Sequence, residues 1–166
     1  MNKLSLRQIV GITIWWTEGT KAYTDKRWRR SLVYPVDVTN TNPDIIKSFL
    51  EFLRKDVGIN ELRLKLQLQI HGGDNQIEME KYWSEITKIP LSRFTKTIVR
   101  PVGNKVGKSK GTCKVRYSDK ATYLRLEDMW KNVLTLLKKN GRAAGNRTQS
   151  LRSQSANTTG IRRPVF

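Results

Sequence analysis

The chain predicts an α+β fold, with helices on one face of an antiparallel sheet, and three observations carry that prediction. Leu62, Leu64, Leu66, Leu68 and Ile70 alternate with Arg63, Lys65, Gln67 and Gln69, the period of two that turns one strand face to a core and the other to solvent. Apolar residues at helical spacing flank this strand on both sides, over residues 45–53 and 76–86. The 166 residues, 37 % of them hydrophobic, suffice for one ordinary core and not comfortably for two.

The first helix spans residues 4–18, with Leu6, Ile9, Val10, Ile12, Ile14, Trp15 and Trp16 apolar on nearly every side. Such a helix is buried on several faces, centrally or at a subunit interface. Gly19 ends it, as glycine often does just past a C-terminus. Lys21, Lys26, Arg27, Arg29 and Arg30, with Trp28 among them, form an exposed basic loop or strand pair. From Leu32 the pattern alternates, with Leu32, Tyr34, Val36 and Val38 on one side and Val33, Pro35, Asp37 and Thr39 on the other. Pro35 moves this strand to a sheet edge, because proline has no N–H for the ladder. Thr41-Asn42-Pro43-Asp44 supplies a cap, a first-turn proline and an acid for the positive end of a second helix, which runs to Gly58.

After the alternating strand come a turn at residues 71–75, a helix over 76–86 and a short helical turn at 91–94. Residues 95–100 form a strand; residues 103–111 form a basic hairpin loop with Lys105, Lys108 and Lys110; residues 112–117 return as its partner. In that last strand Cys113, Val115 and Tyr117 face inward, while Thr112, Lys114 and Arg116 face out. Ser118 caps a final helix ending near Lys139. Residues 1–140 are thus one domain. Residues 142–166 hold five arginines and no acid, too little apolar surface to offset ordering entropy, so 141–166 reads as a basic disordered tail. Residues 144–149, Ala-Gly-Asn-Arg-Thr-Gln, resemble a translated transfer-RNA gene.

Charge narrows the partners. Thirty-two lysines and arginines against 14 acids give a net +18, and without the tail's five arginines the remainder keeps +13. A charge of that size calls for a polyanion. No apolar run approaches the ~20 residues of a membrane span, and Met-Asn-Lys-Leu-Ser lacks a signal-peptide pattern, so the expected setting is the cytoplasm, on the nucleoid in a prokaryote. Cys113 stands alone and His71 is the only histidine, which removes an intrachain disulfide, Cys- or His-cluster metals and Ser-His catalysis. Chemistry here must run on carboxylates, hydroxyls or lysines. Cys113, Trp83 and Trp130 read as packing residues, His71 as a turn residue, and Asp37 and Asp44 as surface and capping residues. Arg63, Lys65, Gln67, Gln69, Lys114 and Arg116 give the sheet an outer face of cations and amides without an acid, suited to phosphates and base edges.

The element order, and Ile9-Val10-Gly11-Ile12-Thr13-Ile14-Trp15-Trp16-Thr17-Glu18-Gly19-Thr20 within it, resemble the LAGLIDADG homing-endonuclease family in its single-motif, homodimeric type. The likeness covers roughly residues 6–139 and includes the Asp37–Asp44 junction. Thr13 stands where the family usually has glycine, and Gly11 falls two turns before Glu18 on the same face. The resemblance implies an αββαββα unit with a saddle-shaped sheet and one extra inserted helix. It implies a homodimer packed through Gly11, Ile14 and Trp15, acting on a near-palindromic site in double-stranded DNA. Glu18 and Gly19 would hold Mg²⁺ or another hard divalent cation, and Lys114 would assist. DNA contacts would come from Lys21, Lys26, Arg27, Arg29, Arg30, Arg63, Lys65, Gln67, Gln69, Lys96, Lys105, Lys108, Lys110, Lys114 and Arg116. The alternatives are a non-catalytic DNA-binding regulator and an RNA-binding, intron-splicing factor of the same fold.

Overall fold

The computed structural model describes residues 4–27, 31–102 and 110–157, with side chains as far as residue 139. The chain divides into two compact units, Met1–Trp130 and Lys131–Phe166.

The first unit opens with helix α1, Leu6–Glu18. Ser5 and Gln8 close a reciprocal capping box: the Ser5 hydroxyl accepts the Gln8 N–H at 3.2 Å, and the Gln8 side chain accepts the Ser5 N–H at 2.9 Å. Strands β1, Tyr23–Asp25, and β2, Ser31–Val33, form a separate antiparallel pair. Strand β3, Pro35–Asn40, leads to Asn42, whose side chain accepts the Asp44 N–H at 2.8 Å and caps helix α2, Pro43–Phe52. A wider π turn, Leu53–Val57, ends at Gly58 in the left-handed region at φ 70°. Strand β4, Lys65–His71, helix α3, Gln76–Thr87, strand β5, Ile98–Arg100, and strand β6, Thr112–Ser118, follow. Helix α4, Lys120–Asn157, begins in the first unit and continues into the second.

Four strands form the main sheet in the order β3-β6-β4-β5. Val36, Val38, Leu66, Leu68, Ile70, Cys113 and Val115 are buried on one face. Helices α1 and α2 pack against β3 and against each other, and α3 packs against α2. Pro35 opens β3, which is an edge strand, as its missing donor requires.

Four expectations are corrected. The sheet is mixed: β4 and β5 run parallel, because α3 between them supplies the crossover that parallel strands need. β6 pairs with β3 and β4, not with β5. The three residues of β5 are all exposed and lie at the edge. Leu62 and Arg63 leave the strand: the Asn60 side chain accepts the Leu62 N–H at 3.0 Å and starts a 3₁₀ turn, Glu61–Arg63, with Leu62 exposed. At α4 the cap is Asp119, not Ser118, its carboxylate accepting the Thr122 N–H at 2.9 Å and hydroxyl at 2.7 Å.

In the second unit the backbone is helical to Asn157. Among the described residues, no helix is long and apolar enough to cross a membrane.

Candidate nucleic-acid interface

The face of the main sheet opposite the core is organised in cross-strand rows. Asp37, Arg116 and Lys65 form one row, and Thr39, Lys114 and Gln67 the next. Gln69 lies between Thr112 and Ile98, and His71 lies beside Arg100. A groove of about 580 Å³ opens here, walled by Arg63, Lys65, Lys114 and Arg116 with Asp37 and Thr20. Lys65 and Arg116 are direct antiparallel partners, both exposed. Two cations facing each other across a ladder destabilise it unless an anion joins them. The acids near the groove are committed elsewhere: Lys114 Nζ lies 2.8 Å from Asp37, and Arg63 lies 3.2 Å from Asp119 and over the Tyr117 ring.

The tip of α1 borders the same groove. Glu18 is exposed at the last helical position. Gly19 is extended, at φ −89°, so a left-handed turn is not the reason for a glycine there. The reason is proximity: an added Cβ would lie 2.4 Å from the Trp15 carbonyl and 2.7 Å from that of Asp37. The next N–H, of Thr20, donates to Asp37 Oδ1 at 2.9 Å. Lys21 then folds back, its ammonium donating to the Trp16 carbonyl at 2.7 Å and the Gly19 carbonyl at 3.1 Å, 4.6 Å from the centre of the Trp16 ring. Burial there draws the Lys21 ammonium below the usual lysine pKa, with Asp37 opposing the shift. A carboxylate at the negative end of a helix opposes the macrodipole, and Lys21 supplies the compensating cation.

The expected interface residues divide accordingly. Lys65, Lys114, Arg116 and Arg63 come together in the groove. Gln67 and Gln69 lie on the same sheet face outside the groove, where Gln67 Nε2 reaches the Lys96 carbonyl at 3.5 Å and Gln69 Oε1 accepts from Arg100 at 2.7 Å. Lys26 and Lys96 are exposed. Lys21 folds back over the end of α1, and its ammonium donates to the Gly19 carbonyl. Arg27 is paired with Asp25 at 3.0 Å, and Lys110 with Glu78 at 2.7 Å on α3. Arg29, Arg30, Lys105 and Lys108 lie outside the described residues.

Gly11 and Trp15, expected at a dimer interface, are packed inside one protomer. A Cβ on Gly11 would lie 2.1 Å from Phe52 Cγ of α2, and Trp15 is fully buried, edge-on to Tyr123 at 5.2 Å. They are therefore not available to a second copy. The open side of α1 carries Leu6, 77 % exposed, Val10, 42 % exposed, half-buried Thr13 and Ile14, and exposed Thr17.

The sequence reading missed two residues on the polar face. Asp37, taken as a surface residue, is buried and holds both Thr20 and Lys114. The available signal was one acid set between Val36 and Val38 in a strand of a strongly basic chain. Arg100 extends the basic face along β5, where only the pairing of β5 with β4 reveals it. Cys113 and Trp83 pack as expected: burial pushes the thiol up to about 12, and the Trp83 indole donates to the Lys110 carbonyl at 2.7 Å. No protein family matches the chain, and no curated protein or solved structure is significantly similar to it.

Proposed function

We propose that this chain is a DNA-binding protein of the LAGLIDADG homing-endonuclease type, hydrolysing double-stranded DNA as a homodimer. The observation that carries the DNA part of this reading is the Lys65–Arg116 pair, two exposed cations held directly opposite each other in a concave groove. A phosphate backbone relieves that repulsion and answers the +18 of the chain. Duplex DNA is favoured over other polyanions because the groove lies on a sheet face more than one row deep, which suits a groove of the double helix.

Hydrolysis is assigned to Glu18. Its carboxylate is a hard oxygen donor suited to Mg²⁺ or a similar cation. The donor set would combine Glu18 from each of two protomers, as the family resemblance implies. The side of α1 carrying Leu6, Val10 and Thr17 is the surface on which two copies would meet, bringing the two α1 tips together. Bound there, the cation would supply Lewis-acid help to phosphodiester hydrolysis. This chain's own contribution is to orient the DNA with Lys65 and Arg116, and to set Lys114 where negative charge builds up on the phosphate.

A pool of random duplexes incubated with Mg²⁺ and scored for nicks tests the reading directly. Site-specific nicking that disappears in Glu18→Gln is expected; binding without nicking at any site points to the second reading. That second reading, a non-catalytic DNA-binding regulator, is favoured by one observation, the Lys21 ammonium on the Gly19 carbonyl. Competition by structured RNA in the same assay distinguishes an RNA-binding role.

A further inference from the structure

A buried carboxylate on the DNA-facing side of a basic sheet needs a reason, because it repels the phosphates that the surrounding cations attract. Asp37 is 6 % exposed, against exposed Arg116 beside it. Its direct cross-strand neighbour is Arg116, yet its carboxylate turns to the diagonal Lys114 at 2.8 Å and to the Thr20 N–H at 2.9 Å. Both oxygens are thereby used, Oδ2 by the lysine and Oδ1 by the amide two residues beyond Glu18. The backbone of Asp37 also lies close enough to Gly19 to exclude a side chain there.

We propose that Asp37 is a positioning residue that clamps the α1 tip to the sheet and withholds Lys114 from general phosphate binding. This rests on the reading of the groove as a DNA interface. An ammonium already neutralised by a buried carboxylate contributes little counterion release. Lys114, whose side chain is 23 % exposed, then keeps one direction in the groove beside the Glu18 tip, while Lys65 and Arg116 carry the binding. Asp37 does not touch the DNA; it acts through Lys114 and Thr20.

The two halves of the clamp separate experimentally in the full-length chain. Asp37→Asn keeps an oxygen for the Thr20 amide but removes the charge that holds Lys114. It is expected to raise duplex affinity and steepen the salt dependence by about one unit in log Kd against log salt, with the Thr20 amide still protected from hydrogen exchange. Adding Lys114→Met to Asp37→Asn should return the slope to the parent value. Asp37→Ala should make the Thr20 amide exchange at least tenfold faster. Lost repulsion alone would also raise affinity in Asp37→Asn, so the reversal by Lys114→Met is what assigns the gain to the released ammonium. An Asp37→Asn slope equal to the parent's, or one that Lys114→Met does not reverse, overturns the proposal. If the parent chain fails to bind duplex DNA, the DNA reading itself is lost. The clamp is then decided by the Thr20 exchange together with the Lys114 ammonium signal in nitrogen-15 spectra: slow solvent exchange of that ammonium, lost in Asp37→Asn, supports it, and fast exchange in the parent contradicts it.

Discussion

Gly11 has no room for a side chain, since an added Cβ would lie 2.1 Å from the fully buried Phe52. Gly11→Ala is therefore expected to destabilise the fold by about 1–3 kcal/mol, the usual cost of overpacking, read as a lower urea midpoint at unchanged slope. A full-strength Gly11→Ala protein would mean that α1 and α2 are not packed this closely. At Glu18 the prediction is opposite in kind. The side chain is exposed and caps nothing, so Glu18→Gln should leave the melting temperature and duplex affinity near parental values while abolishing nicking; wild-type cutting by that variant removes Glu18 from the chemistry. Residue identity was legible here and residue partnership was not. Gly11 and Trp15 stand out in the sequence as packing positions, but periodicity defines a face without naming what covers it, and α2 and Tyr123 cover them. Lys21 read as one more surface cation because nothing local reveals that its chain turns back over the Trp16 ring.

Among the elements, α1 carries the sharpest consequence. Its outer side presents Leu6 and Val10 to solvent, on the same helix face as Thr13 and Thr17. On the proposed homodimer, replacing Leu6 and Val10 together with lysine should turn a dimer into a monomer in sedimentation at micromolar concentration while helix content by circular dichroism stays the same. A dimer that survives the double substitution is built elsewhere. The strands explain what a sequence can give at this scale. Alternation in β4 and β6 fixed which side chains face the core, and both burial patterns agree. Alternation is silent about neighbours, so the expected β5–β6 hairpin proved to be two strands separated by β4. The start of β4 also moved, because the Asn60 side chain diverts the backbone before the apolar row can pair.

Across the whole molecule, the α+β class and the placement of cations on one sheet face were legible, because they follow from period and charge. The acid inside that face was not, since Asp37 becomes significant only when Thr20 and Lys114 reach it from distant parts of the chain. The fold accepts a local cost at Lys65 and Arg116 that makes sense with an anion bound. Each single alanine substitution should accordingly leave the free protein as stable as the parent or more so at low salt, while weakening DNA binding. Whether this groove holds duplex DNA through that pair is read from the salt dependence of binding. Duplex Kd should be measured from 50 to 200 mM salt for the parent, Lys65→Ala, Arg116→Ala and the double variant, a range over which phosphate contacts dominate the change. Each single substitution is expected to lower the slope of log Kd against log salt by about 0.9 and the double by about 1.8. Slopes and affinities that stay parental in all three variants would contradict this assignment and move the DNA off this face of the sheet.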